Sequence, residues 1–282
     1  MFELRLATTL YILLKLWLCG MAAFLCARGL GFSPWLSRFF SVAWMLASYN
    51  IIWANWSLPD VSVWLPVMFL GAEWILQARY RRGIFTLATG GTLILLAGHP
   101  ETAFCMATGV GYYFLARLLL ERRWGAALWK PVAACTAAWA LALGVCMAQL
   151  LPFLEYLLNS STLFERHEKP VDHLLPPSAF VNFWVPRFFG TTADGTYYGD
   201  SNSNLYGMLY AGMVVWVAML TLMTPGKLAP LRAHQCRALL AAMVVGILLA
   251  FSLPPSEYLH GLPVFSSTIR PYHIAFTVFA LP

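Results

Sequence analysis

Residues 131–152 read PVAACTAAWALALGVCMAQLLP, and none of these side chains is charged. At 1.5 Å of rise per residue such a run makes a helix about 33 Å long, enough to cross the ~30 Å hydrocarbon core of a bilayer. The same kind of run recurs along the chain. Residues 5–27, 37–56, 60–78, 84–98, 102–120, 205–223 and 238–253 are further predicted spans, and an incomplete apolar run extends from 272 to 282. The expected fold is all-α: a polytopic transmembrane bundle of about eight full spans plus a truncated ninth. Composition agrees, because 60% of the 282 residues are hydrophobic and only 11% are charged, against about 25% charged in soluble domains. That balance, with 15% aromatic residues and only six cysteines, excludes a water-soluble fold, a disordered chain and a disulfide scaffold.

The charges then orient the spans, since cytoplasmic loops retain Lys and Arg. One set of alternate connections carries twelve basic residues, among them Arg79, Arg81, Arg82, Arg117, Arg122 and Arg123, against the single acid Glu121. The other set carries nine acids, including Asp60, Glu101, Glu155, Asp194 and Asp200, against Arg166, Lys169, Arg187 and Arg270. The two sides sum to +11 and −5, and Glu3, Arg5, Lys15 and Glu73 cancel, which recovers the net +6. The basic side is expected in the cytoplasm, and nucleic acid is not needed to explain the excess. Residues 1–282 are read as a single transmembrane domain of an integral inner (plasma) membrane protein, with 153–204 as one large extracytoplasmic loop. The apolar run from 272 is too short to cross the bilayer, so the chain is expected to be a fragment of a longer protein.

Chemistry is expected on the acidic side. The 153–204 loop is too long to be a mere connector. It combines carboxylates with Trp184, Phe188, Phe189, Tyr197 and Tyr198, which can stack sugar rings or form an interfacial aromatic belt. The tight connection Ala97-Gly98-His99-Pro100-Glu101-Thr102-Ala103-Phe104 places two ionisable groups, His99 and Glu101, at or just inside the membrane surface. There a charge without a partner is costly and usually functional. The same residues can equally make a turn and cap the following helix. Asp60, after Pro59, reads as a helix cap or a site carboxylate. Lys15 and Glu73 lie inside apolar runs, where they pair or snorkel. Arg270-Pro271 opens the last apolar run, and a guanidinium there suits phosphate or anchors the interface. Cysteine spacing gives no disulfide framework or metal-ligand pattern, and no metal ligand is assigned.

Several of these motifs resemble, in order, those of the bacterial YfhO-family membrane proteins, which are assigned to the GT-C glycosyltransferase superfamily. Ala97 to Phe104 is similar to the family's Gly-His-Pro-Gln-Thr-Ala-Phe segment. Asp60 to Glu73, with Val63-Trp64-Leu65-Pro66, resembles its span that carries an aromatic-Leu-Pro and ends in an acid. Leu150-Leu151-Pro152-Phe153-Leu154-Glu155 resembles the segment opening the large outer loop. Phe183 to Gly190, Tyr197-Tyr198-Gly199-Asp200 and Leu205-Tyr206-Gly207 resemble the rest of that loop. Pro263-Val264-Phe265 with Arg270-Pro271 is similar to a later element. The sequence departs from the pattern at Glu101, where Gln is common.

The resemblance implies a GT-C-like fold and transfer of a sugar from a polyprenyl-phosphate donor to a cell-envelope glycan or lipid acceptor outside the membrane. It implies His99 and Glu101 as candidate catalytic-site residues and Arg187 and Arg270 as phosphate contacts. Asp194, Tyr197, Tyr198 and Asp200 become acceptor-side groups, and a divalent metal is an optional cofactor. GT-C proteins place their principal carboxylate in the first outer loop, which the resemblance sets upstream of Met1. A transporter or flippase of lipid-linked substrate, and a non-catalytic envelope subunit, are the competing expectations.

Overall fold

The 131–152 stretch is helical throughout, as the middle of a 34-residue helix, Ala126–Asn159. The computed structural model describes residues 2–161, 175–199, 203–210, 212, 230–260, 262, 265, 268 and 270–280. Among them every regular element is a helix and none is a strand. In chain order these are α1 (Phe2–Gly29), α2 (Pro34–Met45), α3 (Ser48–Ile52), α4 (Leu58–Ser62), α5 (Leu65–Leu76), α6 (Tyr80–Leu96), α7 (Pro100–Leu120), α8 (Ala126–Asn159), α9 (Ser203–Gly207), α10 (Pro230–Ala250), α11 (Glu257–His260) and α12 (Ile274–Ala280). Two 3₁₀ helices, Pro177–Phe183 and Arg270–His273, accompany them. Five segments among the described residues are long and apolar enough to cross a membrane: Glu3–Gly29, Leu58–Leu76, Pro100–Leu120, Ala127–Asn159 and Ala233–Ala250.

The remaining predicted spans take less regular forms. The 37–56 run is broken into α2 and α3 by a turn at Leu46-Ala47. The cause is Asn50, whose buried amide donates to the Trp44 carbonyl at 2.7 Å and thereby replaces a helical bond. Its other end accepts from the Ser62 hydroxyl, which ties the break to α4. The 60–78 run bends at Val63-Trp64, and Pro66 falls in the first turn of α5, where its missing N–H costs nothing. The 84–98 run is the 17-residue α6. Residues 153–159 continue α8, so the long connection begins later than the sequence suggested. Of the 205–223 run only 205–210 and 212 are described, and α9 ends at Gly207. Asp200, Glu165, Glu168, Lys169 and the rest of that run lie outside the described residues.

Packing in lipid lacks a hydrophobic drive between helices and relies on close backbone approach at small residues. The α5/α6 seam has that character. A Cβ at Gly71 would lie 2.4 Å from the Leu87 nitrogen, one at Gly83 2.7 Å from the Ile75 nitrogen, and one at Gly90 2.9 Å from the Met68 nitrogen. On the far side of α6, α8 buries one stripe at four-residue spacing, Ala134, Ala138, Ala142 and Cys146. Ala142 faces Gly91, and the Cys146 thiol donates to the Thr92 carbonyl at 3.5 Å. Elsewhere α8 and the first half of α1 expose Leu4, Leu10, Leu13, Val145, Leu151 and Leu158. A lipid environment accounts for such surfaces.

Alternating helix directions put Arg79–Arg82 and Arg117–Arg123 at one end of the bundle and His99 at the other. At the arginine end a polar knot sits inside the protein. Glu73, fully buried, accepts from Arg117 Nη1 at 2.8 Å, the Tyr113 hydroxyl at 2.5 Å, Gln235 Nε2 at 2.6 Å and Gln77 Nε2 at 3.0 Å. Arg117 also donates to Glu121 through Nε at 2.9 Å. The knot fastens α5, α7 and α10 together, and it gives Glu73 its ionic partner.

Candidate functional site

The site is built at the opposite end, where α7 begins. Gly98 turns the chain with φ +82, a left-handed conformation that glycine adopts without a Cβ penalty. Pro100 occupies the first helical turn, and His99 Nδ1 accepts from the Thr102 amide at 3.3 Å. The motif is therefore a helix cap. The imidazole does more than cap, because its ring stands edge-on to Tyr272 at 5.5 Å.

Tyr272 belongs to the 3₁₀ turn that Arg270 opens, so the structure joins two of the sequence-predicted elements far apart in the chain. Around this contact the groups are polar or aromatic and mostly buried. Trp53 meets Tyr272 edge-on at 6.4 Å, and His273 stacks on Phe265 at 5.9 Å. His273 Nε2 lies 3.7 Å from the Cys105 thiol. The buried Tyr49 hydroxyl faces Thr102 short of hydrogen-bond geometry, and among the described residues neither it nor the buried Trp53 indole N–H has a hydrogen-bond partner. Leaving such groups unbonded costs about 1–3 kcal/mol each. A water or the polar part of a ligand would satisfy them. Glu101 sits partly buried in the first turn of α7.

Of the other sequence-predicted residues, Arg187, Asp194, Tyr197 and Tyr198 lie in the segment 175–199. Residues 175–199 pack on α9, and Phe180 stacks on Phe251 at 4.1 Å beyond the end of α10. Tyr197 is partly buried, edge-on to Tyr206 at 6.0 Å. Tyr198 is exposed and donates to the Phe188 carbonyl at 2.6 Å. Arg187 is exposed in a left-handed turn. Asp194 accepts from the Thr196 hydroxyl at 2.6 Å and the Thr196 amide at 3.2 Å. Tyr198 and Asp194 thus use these hydrogen bonds inside their own loop.

Those bonds hold the Asp194 carboxyl below the ordinary Asp value of 3.8, with the Thr196 hydroxyl as the largest cause. A depressed value means that the turn's support is complete above the ordinary value and is lost as pH falls through the lowered one. Amide exchange across 189–198, corrected for intrinsic rate, is expected to accelerate on acidification below about pH 4. Asp194→Ala should exchange fast at every pH. A wild-type loop whose protection does not change on acidification would remove this role.

A second feature was barely legible in sequence. Tyr11, Leu14, Lys15 and Leu18 of α1 form one helical stripe and line an open cleft of about 260 Å³ with Asp60, Val63, Leu93 and Leu96. Asp60 pairs with Lys15 at 2.9 Å and accepts from the Tyr11 hydroxyl at 2.6 Å. The spacing of Tyr11 and Lys15 on one face was the available signal. Their partner stands 45 and more residues away, where periodicity says nothing.

Among the described residues no group of three or more His, Cys, Asp or Glu side chains could hold a metal ion. No family model, curated protein or solved structure matches this chain. Fold and site define an all-helical chain with helices fit to cross a membrane, a buried polar and aromatic cluster at one end, and a carboxylate-bearing cleft beside it.

Proposed function

We propose that this chain belongs to a membrane glycosyltransferase that moves a sugar from a polyprenyl-phosphate donor to a cell-envelope glycan or lipid, in a bundle whose His99 end faces out of the cytoplasm. The observation that supports this reading is the contact of His99 with Tyr272. It brings the Gly-His-Pro motif against the turn opened by Arg270, and the motif resemblance assigns both to one protein family. In the reaction a carboxylate takes the proton of the acceptor hydroxyl. The acceptor oxygen bonds to the anomeric carbon, while the bond to phosphate breaks and its electron pair leaves on the polyprenyl phosphate. Arg270 and Arg187 are the cations proposed for that phosphate, whose charge a guanidinium fork binds through two oxygens. His99 and Glu101 wall the site, with Asp194, Asp200, Tyr197 and Tyr198 on the acceptor side. A leaving group that stays anchored in the bilayer accounts for a site at the ends of the helices.

The test is transfer of radiolabelled sugar from a polyprenyl-phosphate donor by the purified full-length protein in nanodiscs. His99→Asn keeps an oxygen that can cap α7 and removes the imidazole, so it is expected to lower kcat about 100-fold with an unchanged melting temperature. His99→Ala adds about 1 kcal/mol of lost capping to that. Wild-type turnover in both variants would sink the site, and no turnover with any polyprenyl-phosphate sugar would sink the reaction class.

A further inference from the structure

The cleft beside α1 has a chemistry of its own. Its walls are apolar: Leu14 and Leu18 on α1, Val63 between α4 and α5, Leu93 and Leu96 on α6. Three of the residues that line it, Tyr11, Leu14 and Leu96, are themselves exposed, so its rim is apolar surface suited to lipid. One charged pair interrupts it. The Lys15 ammonium is almost wholly buried and has three N–H groups. They meet Asp60 Oδ1 at 2.9 Å, the Ala54 carbonyl at 3.1 Å and the Trp56 carbonyl at 2.9 Å. No donor is left on Lys15 for an incoming anion. Asp60 Oδ1 also accepts from Tyr11, whereas Oδ2 has no hydrogen-bond partner among the described residues and the side chain is 23% exposed.

These occupancies decide the ligand's charge. An anionic head group would meet the Asp60 carboxylate with no free ammonium hydrogen to offset it. A cationic head group would bring in an uncompensated charge, because Lys15 already neutralises Asp60, and an unpaired charge in an apolar cleft is costly. A neutral donor meets neither objection, because Lys15 and Asp60 cancel and Oδ2 still offers lone pairs.

We propose that this cleft binds a neutral lipid carrying a hydroxyl, its chain against the leucines of α1 and α6 and its hydroxyl donating to Asp60 Oδ2. The lipid enters sideways from the hydrocarbon region and stays anchored there while its head reaches the carboxylate. The site is separate from the His99 cluster and does not depend on what is transferred there.

The probes are dioleoylglycerol, its 3-O-methyl ether, in which a methyl group replaces the hydroxyl hydrogen, and dioleoyl phosphatidic acid. Each is offered to the purified protein in nanodiscs without any sugar donor, and retention is read by native mass spectrometry. Dioleoylglycerol is expected to bind about tenfold better than the ether, the factor that one hydrogen bond supplies, and better than phosphatidic acid. Ala97→Trp fills the cleft from the end of α6, where Ala97 lines it. It should abolish retention with an unchanged melting temperature. Asp60→Asn removes the charge that excludes anions and should raise phosphatidic acid retention. Equal binding of alcohol and ether, preference for phosphatidic acid in the wild type, or wild-type retention by Ala97→Trp would each overturn the proposal. Because no turnover is read, these outcomes are independent of whether the protein transfers a sugar.

Discussion

Arg117→Leu is expected to destabilise the protein by about 3–5 kcal/mol, the usual consequence of removing one partner from a buried ion pair. Glu73 is wholly buried, and in the variant its charge would face only the neutral donors Tyr113, Gln77 and Gln235. The penalty arises from the stranded charge more than from lost attraction. Adding Glu73→Gln to the leucine variant should therefore recover at least half of the loss, because an amide oxygen still accepts while the charge is gone. Arg117→Lys should fall between wild type and leucine. A single ammonium cannot reproduce the fork that reaches Glu73 through Nη1 and Glu121 through Nε. The measurement is equilibrium unfolding in mixed micelles. A leucine variant within 1 kcal/mol of wild type would overturn the ionic account of the knot.

The same knot shows where charge counting along a sequence stops being sufficient. Arg117 entered the basic-side sum as though it faced water, yet it is fully buried and paired with Glu73 from another helix. Asp60 entered the acidic-side sum, yet Lys15 neutralises it. Hydropathy located α1, α7, α8 and α10 because long apolar runs are a property of consecutive residues. It missed the break between α2 and α3, since what breaks that run is Asn50 finding Trp44 and Ser62 in the folded core. The candidate site divides in the same way. Gly98, His99 and Pro100 make a local turn that spacing reveals. The approach of Tyr272 to His99, and of Tyr11 and Lys15 to Asp60, depends on which helices become neighbours.

Gly71→Ala is the most severe test of how those neighbours are held. One methyl group placed there would sit 2.4 Å from the nitrogen and 2.7 Å from the Cα of Leu87. Both are backbone atoms, so no rotamer change can relieve the contact and α5 and α6 must separate. Overpacking of this kind costs about 1–3 kcal/mol, and the upper end is expected because Gly83 and Gly90 draw the same two helices together along the seam. The control is Gly144→Ala on the exposed face of α8, where a Cβ meets nothing within 4 Å. Removing a glycine from a helix interior without a clash stabilises by about 0.5–1 kcal/mol, so the two substitutions should move the melting temperature in opposite directions. Separation of the seam also carries Leu93 and Leu96 away from Asp60, because α6 walls the cleft at the end where it leads into Gly98 and His99. Gly71→Ala should thus lower dioleoylglycerol retention as well as stability, although residue 71 does not line the cleft. Equal melting temperatures for the two alanine variants would mean that α5 and α6 are not in backbone contact, and the placement of the α6 wall would fall with that contact.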